Sequence, residues 1–223
     1  MNQTPNLEEE FPEQYEKLVK LFGSNEVRSK NDRINEIYAV CEAAWETNLD
    51  RLSNTEVKYL LIAEAPPWSE KDPINYFYTT LNGPWCTRIW KAFFDEARPD
   101  DVNKALTLLA EKQFLLIDSL PFSMKYTTNC REDPFYTELI KCCKAFINKK
   151  LNNEKIRWAR EVKVALAFYK NGEAIINAFP EGLELKTGQT IKLCPFLIAT
   201  DGSNYTNSNI LKDIWCMENN GKG

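Results

Sequence analysis

The sequence of 223 residues contains no histidine. This absence excludes the Ser-His-Asp triad and every histidine ligand of a metal ion, and it removes the commonest general base. Any catalysis must therefore use carboxylates, amides, hydroxyls, lysine, tyrosine or cysteine. The seven cysteines are an odd number without a Cys-x-x-Cys pair, which argues against a zinc site and an iron–sulfur cluster. We interpret them as small buried side chains in a reducing compartment.

Several other signatures are also missing. No G-x-x-x-x-G-K-[ST] or G-x-G-x-x-G loop follows a predicted strand, so nucleotide hydrolysis and Rossmann redox chemistry have little support. No uninterrupted run of about 18 apolar residues occurs, and the acidic N-terminal segment lacks the apolar centre of a signal peptide. The sequence therefore predicts a cytoplasmic protein without a membrane span, a metal or a cofactor.

The composition is that of an ordinary globular protein, with 43% hydrophobic and 27% charged residues. The length suits one α/β domain. We divide it into a helical lead-in (residues 1–56), a core (57–217) and a tail (218–223), and we expect disorder in residues 1–10 and 219–223. The net charge of −4 gives no sign of a strongly basic surface, although residues 141–163 are locally rich in lysine and arginine. Such a run is typical of a solvated helix face; the alternative is a surface that faces phosphates.

Four apolar runs predict buried strands, at residues 57–63, 114–118, 162–168 and 191–199. Patterns of helical period predict helices at residues 11–22, from 33 to at least 45, and at 87–97, 102–111, 134–151, 153–160, 172–179 and 207–217. This alternation predicts an α/β fold with three α/β/α layers and a central, mainly parallel, four-stranded sheet. Pro195 indicates that the last strand lies at an edge or contains a bulge.

Polar residues follow each predicted strand. In open parallel sheets ligands bind beyond the carboxyl ends of the strands, because loops from several strands converge there. The loops concerned begin at Glu64, Asp118, Tyr169 and Thr200. Together they offer carboxylates, amides, hydroxyls, a lysine and aromatic rings, which suit the binding of a planar polar ring and the activation of a water molecule.

The segment Leu60-Leu61-Ile62-Ala63-Glu64-Ala65-Pro66-Pro67 resembles the first motif of the uracil-DNA glycosylase superfamily. In several branches of that family a strand runs into Gly-Glu-Ala-Pro-Gly, and here Ala63 and Pro67 replace the two glycines. The order of elements and the polar turn after the last strand are similar as well, so the resemblance covers residues 57–217. This chain differs from the family in having no histidine in that turn and no cluster-binding cysteines.

The resemblance implies roles for individual residues. Glu64 would handle the attacking water, and Asp201 and Asn204 would contact the base or the leaving group. Tyr76, Phe77 or Tyr78 would stack on a flipped base. The full set of predicted site residues is Glu64 and Asp201 for catalysis, Pro66, Trp68, Tyr76, Phe77, Tyr78, Asp118, Ser119, Ser203 and Asn204 for ligand binding, and Lys125, Arg131 and Lys170 for nucleic acid.

These residues lead to a first hypothesis and two alternatives. The first is a DNA glycosylase-like protein that hydrolyses the N-glycosidic bond of a modified or damaged base, with DNA as partner. The second is a catalytically inactive glycosylase-fold module that binds nucleic acid or a nucleotide. The third is an unrelated α/β hydrolase acting on a small metabolite. The catalytic hypothesis requires Glu64 and Asp201 to face each other across one cleft.

Overall fold

Three apolar segments form a parallel sheet in the computed structural model, which describes residues 5–201 and 206–217. The strands are β1 (Val57–Ala63), β2 (Phe114–Asp118) and β3 (Trp158–Leu166), in the order β2-β1-β3. All of β2 and the last four residues of β1 are buried. Because successive side chains of a strand point to opposite faces, both faces of the sheet must be covered.

Helices surround the sheet before, between and after its strands. Those before β2 are α1 (Leu7–Glu10), α2 (Pro12–Phe22), α3 (Ser24–Arg51), α4 (Phe77–Thr80), α5 (Gly83–Phe93) and α6 (Val102–Glu111). Those after β2 are α7 (Thr128–Glu132), α8 (Pro134–Cys142), α9 (Lys144–Leu151), α10 (Tyr169–Ala178) and α11 (Ser208–Ile214). In the described part of the chain, no helix is at once long enough and apolar enough to cross a membrane.

The predicted fourth strand does not form, and the four-stranded sheet is corrected to three strands. Residues Thr190–Ile191 make β5, which pairs antiparallel with β4 (Leu183–Glu184) outside the main sheet. Pro195–Leu197 form a 3-10 helix instead of a strand, because proline has no N–H to donate and a fixed φ. This segment meets the sheet only at its end, where Ile198 forms one parallel bridge to Leu166 of β3 and the Ala199 N–H donates to the Leu166 carbonyl at 2.8 Å.

Several helix predictions are also corrected, and two of the differences are large. The second helix begins at Ser24 rather than after Asp32. The segment 153–160 is not a helix, because the Asn153 side chain accepts a hydrogen bond from the Lys155 N–H in a turn and β3 then begins at Trp158.

The lead-in helices belong to the main core. Leu7 is fully buried, and its N–H donates to the Asn35 side chain at 3.0 Å. The cluster of buried apolar side chains extends without a break from Leu7 to Trp215. Residues 7–10, expected to be disordered, form α1 instead; the predicted tail, 218–223, lies outside the described residues.

Three of the eight basic residues in segment 141–163 bind acidic side chains on the lead-in helices. Lys150 is buried and binds Glu42 at 2.5 Å, and Lys155 binds Asp50 at 2.8 Å. Lys149 lies 3.5 Å from Glu10. These lysines therefore join two parts of the fold, which argues against a phosphate-facing role for this part of the segment.

Candidate functional site

A cavity of about 370 Å³ opens where β1 and β2 end. The register places Ala63 beside Asp118, so both strands deliver their last residues to the same edge. Ala63, Leu116 and Asp118 are buried in its lining, and exposed Asn75 and Asn82 lie at its mouth. The cavity occupies the position expected for a ligand site in a parallel sheet.

Asp118 is, among the described residues that line this cavity, the only one with a carboxyl group. Its side chain is buried, and the Tyr76 hydroxyl donates a hydrogen bond to Oδ2 at 2.9 Å. Burial raises the pKa of Asp118 to about 7, against the opposing effects of the Tyr76 hydrogen bond and the Lys150 charge. Near neutral pH this group can therefore both donate and accept a proton, which is the property of a general acid or base.

Two aromatic rings form a wall of the cavity. Trp85 and Phe168 are stacked, with ring centroids 6.0 Å apart and planes 17° from parallel. The Trp85 indole N–H donates to Thr206 at 2.9 Å, and the Thr206 hydroxyl donates to the Ala167 carbonyl at 2.7 Å. Since the rings are already stacked on each other, a planar ligand would extend the stack. Neither ring was a predicted site residue, although Trp85 lies in the aromatic-rich segment 68–90 and Phe168 ends the third predicted strand.

The three aromatic residues predicted to stack a ligand have other contacts. Tyr76 binds Asp118, and Phe77 lines the cavity but packs edge-on against Trp85 and Phe114. The Tyr78 hydroxyl is held by both the N–H and the carbonyl of Leu116, at 2.7 and 2.9 Å. Tyr78 is thus committed to the backbone of β2.

Glu64 is buried in a two-pronged ion pair with Arg131. Its Oε1 and Oε2 accept hydrogen bonds from Arg131 Nε and Nη2, each at 2.7 Å, and Oε1 also accepts from the Tyr136 hydroxyl at 2.6 Å. Burial raises the pKa of Tyr136 well above its usual range, so this hydroxyl stays a donor. Glu64 is not among the residues that line the cavity. This geometry argues against the predicted handling of water by Glu64.

A fully buried amide and hydroxyl extend this network. Asn171 Nδ2 donates to the hydroxyls of Ser119 and Tyr136, each at 3.0 Å, and Ser119 donates to the Glu64 carbonyl at 2.9 Å. Ser119, predicted to bind ligand, instead ties β2 to the Glu64 loop, since both it and Asn171 are completely buried. Tyr136 and Asn171 were missed because their roles depend on contacts between distant parts of the chain.

Asp201 lies on an exposed turn, where the Asn207 side chain donates to it at 2.9 Å. It does not line the cavity, so Asp201 and Glu64 are not brought together there. Ser203 and Asn204 lie outside the described residues.

The predicted cationic residues and Trp68 separate into two groups. Lys30, Trp68, Glu70, Lys71, Lys125 and Arg131 line a second opening of about 730 Å³, which we call the cationic cleft. Lys170 does not line this cleft; it pairs with Glu173 at 3.2 Å and shares another opening with Arg131. The loop around buried Pro66 separates the two openings, since Ala65 and Pro67 line the cavity whereas Trp68 lines the cleft.

No protein-family model, curated protein or solved structure matches this chain. The class of the protein is therefore defined by its fold and its site alone. It is a mixed α/β protein with a parallel three-stranded sheet and an aromatic cavity at the carboxyl edge of that sheet.

Proposed function

We propose that this protein hydrolyses the N-glycosidic bond of a modified or damaged nucleobase, with Asp118 as the acid–base residue in place of Glu64. The observation that carries the proposal is one carboxyl group with a pKa of about 7 inside an apolar, aromatic cavity. At 370 Å³ the cavity is at the small end of ligand sites, as suits a single ring system. The resemblance of residues 60–67 to a glycosylase motif supports the same proposal, since the loop after this strand borders the cavity.

The reaction would use both protonation states of Asp118. The protonated carboxyl group donates its proton to a ring nitrogen or exocyclic oxygen of the base while the bond between the sugar C1′ and the base nitrogen breaks. The base leaves with the bonding electron pair, and the sugar becomes an oxocarbenium ion. Water then adds to C1′, and its proton returns to the Asp118 carboxylate. The products are the free base and an abasic sugar, and the enzyme is restored.

The cavity also offers groups that recognise a base. The Asn75 side-chain oxygen accepts a hydrogen bond from Thr80, which leaves the Asn75 amide N–H groups to donate. Asn82 supplies a second amide at the mouth. Trp85 and Phe168 would stack on the face of a ring, and these amides would form hydrogen bonds with its edge. A base extruded from a duplex is expected to be held in this way.

A binding module without turnover is the second candidate. It is favoured by the ion pair of Glu64, because a carboxylate that already accepts three hydrogen bonds is a poor base. In that case the cavity would hold a base or nucleotide without cleaving it.

The test is an assay for abasic product with oligonucleotides that carry a panel of modified bases. We expect Asp118→Asn to lower turnover by about 100-fold or more while binding persists, and Asp213→Asn, at an exposed position, to match wild type. Because the protonated acid is required, kcat/KM should fall about tenfold per pH unit above pH 7. Binding without product from any base would favour the inactive module; full turnover by Asp118→Asn would refute the assigned role.

A further inference from the structure

We propose that the cationic cleft is a phosphate-binding site in which Arg131 is the fixed donor and Glu64 is its positioning residue. The site deepens the proposed function by assigning the ligand a phosphate group, but it does not depend on catalysis.

The guanidinium of Arg131 has one edge occupied and one edge available. A guanidinium carries five N–H groups in a planar fork. The Glu64 carboxylate accepts one hydrogen bond from Nε and one from Nη2. The remaining three N–H groups have no acceptor among the described residues. The available edge, formed by Nη1 and Nη2, has the spacing that binds two oxygens of a phosphate at once. Arg131 lines the cleft, and its side chain is 18% exposed.

Other charges of the cleft favour an anion. Lys71 and Lys125 are exposed and form no ion pair with any described residue. Lys30 pairs with Glu26 and also lies 4.8 Å from the centroid of the Trp68 ring. Glu70 is the only carboxylate among the described residues of the lining. The cleft therefore combines one oriented guanidinium with two exposed ammonium groups.

The cleft and the cavity are neighbours across one short loop. The guanidinium carbon of Arg131 lies 6.0 Å from the centroid of Phe168, which forms part of the cavity wall. A ligand with its ring against Phe168 and a phosphate on Arg131 would span this loop. That arrangement identifies the ligand chemically as a phosphate ester of a compound that contains a ring, in a nucleotide or in a nucleic acid strand.

Glu64 acts in this site through Arg131. Tyr136 and Arg131 together fix both of its oxygens, and Asn171 in turn holds the Tyr136 hydroxyl. The carboxylate thereby fixes the plane of the guanidinium before any ligand arrives. Such preorganisation improves affinity because less side-chain freedom is lost on binding.

The first experiment measures binding of pyrophosphate and of a single-stranded oligothymidylate at several salt concentrations. We expect Lys71→Gln and Lys125→Gln each to weaken binding by about fivefold, and to reduce the slope of log K against log salt for the oligonucleotide by about 0.7. Lys104→Gln, an exposed lysine outside the cleft, should match wild type. Binding of pyrophosphate alone would support a small phosphate ester as ligand, and binding of the oligonucleotide would support a polymer. No binding of either, or equal effects of all three substitutions, would overturn the proposal.

The second experiment separates positioning from charge. Arg131→Lys retains the charge but loses the planar fork, and Glu64→Gln retains Arg131 but weakens its clamp. We expect each variant to lower the affinity for pyrophosphate by about tenfold. The salt slope measured with the oligonucleotide should be unchanged. Melting temperatures recorded in parallel identify any loss of folded protein. Wild-type affinity in folded Glu64→Gln would overturn the positioning role. Because pyrophosphate contains no base, failure of the glycosidase assay would leave these results standing.

Discussion

The buried carboxyl group of Asp118 couples folding to pH. Its pKa is about 7 in the folded chain, whereas an aspartate in an unfolded chain titrates near 3.9. Between about pH 3.9 and pH 7 the folded chain therefore keeps a proton on Asp118 that the unfolded chain has lost. Above pH 7 the folded chain must hold a buried negative charge at Asp118. The stability contributed by this group is therefore greatest below about pH 4 and falls as the pH rises to about 7.

Asp118→Asn should consequently be more stable than wild type at pH 8, by about 2 to 4 kcal/mol, because the amide carries no charge. The advantage should shrink as the pH falls toward 4. Urea denaturation at both pH values measures the difference, and Asp213→Asn serves as the exposed control. An advantage of the variant that is equal at pH 4 and pH 8 would contradict the raised pKa.

For single residues, the sequence could predict which ones lie at the edge of the sheet, but not which side chains they bind. Asp118 was a predicted ligand residue because it ends a strand, and it lines the cavity. The partner of Glu64 could not be predicted, since Arg131 lies 67 residues away and their pairing depends on how α7 packs. The same holds for Asn171, which reaches Ser119 across 52 residues.

Tyr78 protects an edge of the sheet. β2 is an outer strand, and the hydroxyl of Tyr78 binds the Leu116 N–H and carbonyl there. We expect Tyr78→Phe to destabilise the fold by about 1 to 3 kcal/mol, because both buried backbone groups lose their partner. Tyr169→Phe is the control, because Tyr169 is 43% exposed. Urea denaturation measures the cost, and hydrogen exchange of the Leu116 amide should accelerate only in Tyr78→Phe.

Gly172 permits close packing of α10 on the segment that replaces a fourth strand. A Cβ at this position would lie 2.9 Å from Ile198 Cγ1 and 3.3 Å from Leu166 Cβ. We expect Gly172→Ala to destabilise by about 1 to 3 kcal/mol through overpacking, although alanine normally favours helices. In an Ile198→Ala background the cost should be smaller. A double-mutant cycle of denaturation free energies tests this, and strict additivity would contradict the contact.

Apolar runs were sufficient to predict two of the three strands of the main sheet, but not the end of the sheet near residue 195. Continuous apolar runs predicted β1 and β2 correctly, because buried parallel strands need such runs on both faces. The run at residues 191–199 was equally apolar but contains Pro195, and the structure places a 3-10 helix there. The sequence pattern alone could not show that Pro195 would reduce the pairing with β3 to one bridge.

The whole molecule depends on the lead-in helices. Trp45 of α3 is buried, and the ammonium group of Lys150 lies 3.6 Å from the centroid of its ring. Without α3, Lys150 would lose both this contact and Glu42. We therefore expect a chain that starts at Val57 not to fold, as judged by near-ultraviolet circular dichroism and amide NMR dispersion.

Co-expression of residues 5–56 as a separate chain should restore the folded signal, which distinguishes a missing part of the core from a damaged one. A folded, cooperative fragment from Val57 onward would show that the lead-in is dispensable.

The pairing of Lys149, Lys150 and Lys155 with acidic helices has a consequence for how ligands arrive. These three cations have acidic partners, whereas Lys71 and Lys125 at the cleft are exposed and form no ion pair with a described residue. A diffusing polyanion would be turned toward that opening before contact. The association rate should consequently fall steeply as ionic strength rises, more than the dissociation rate increases.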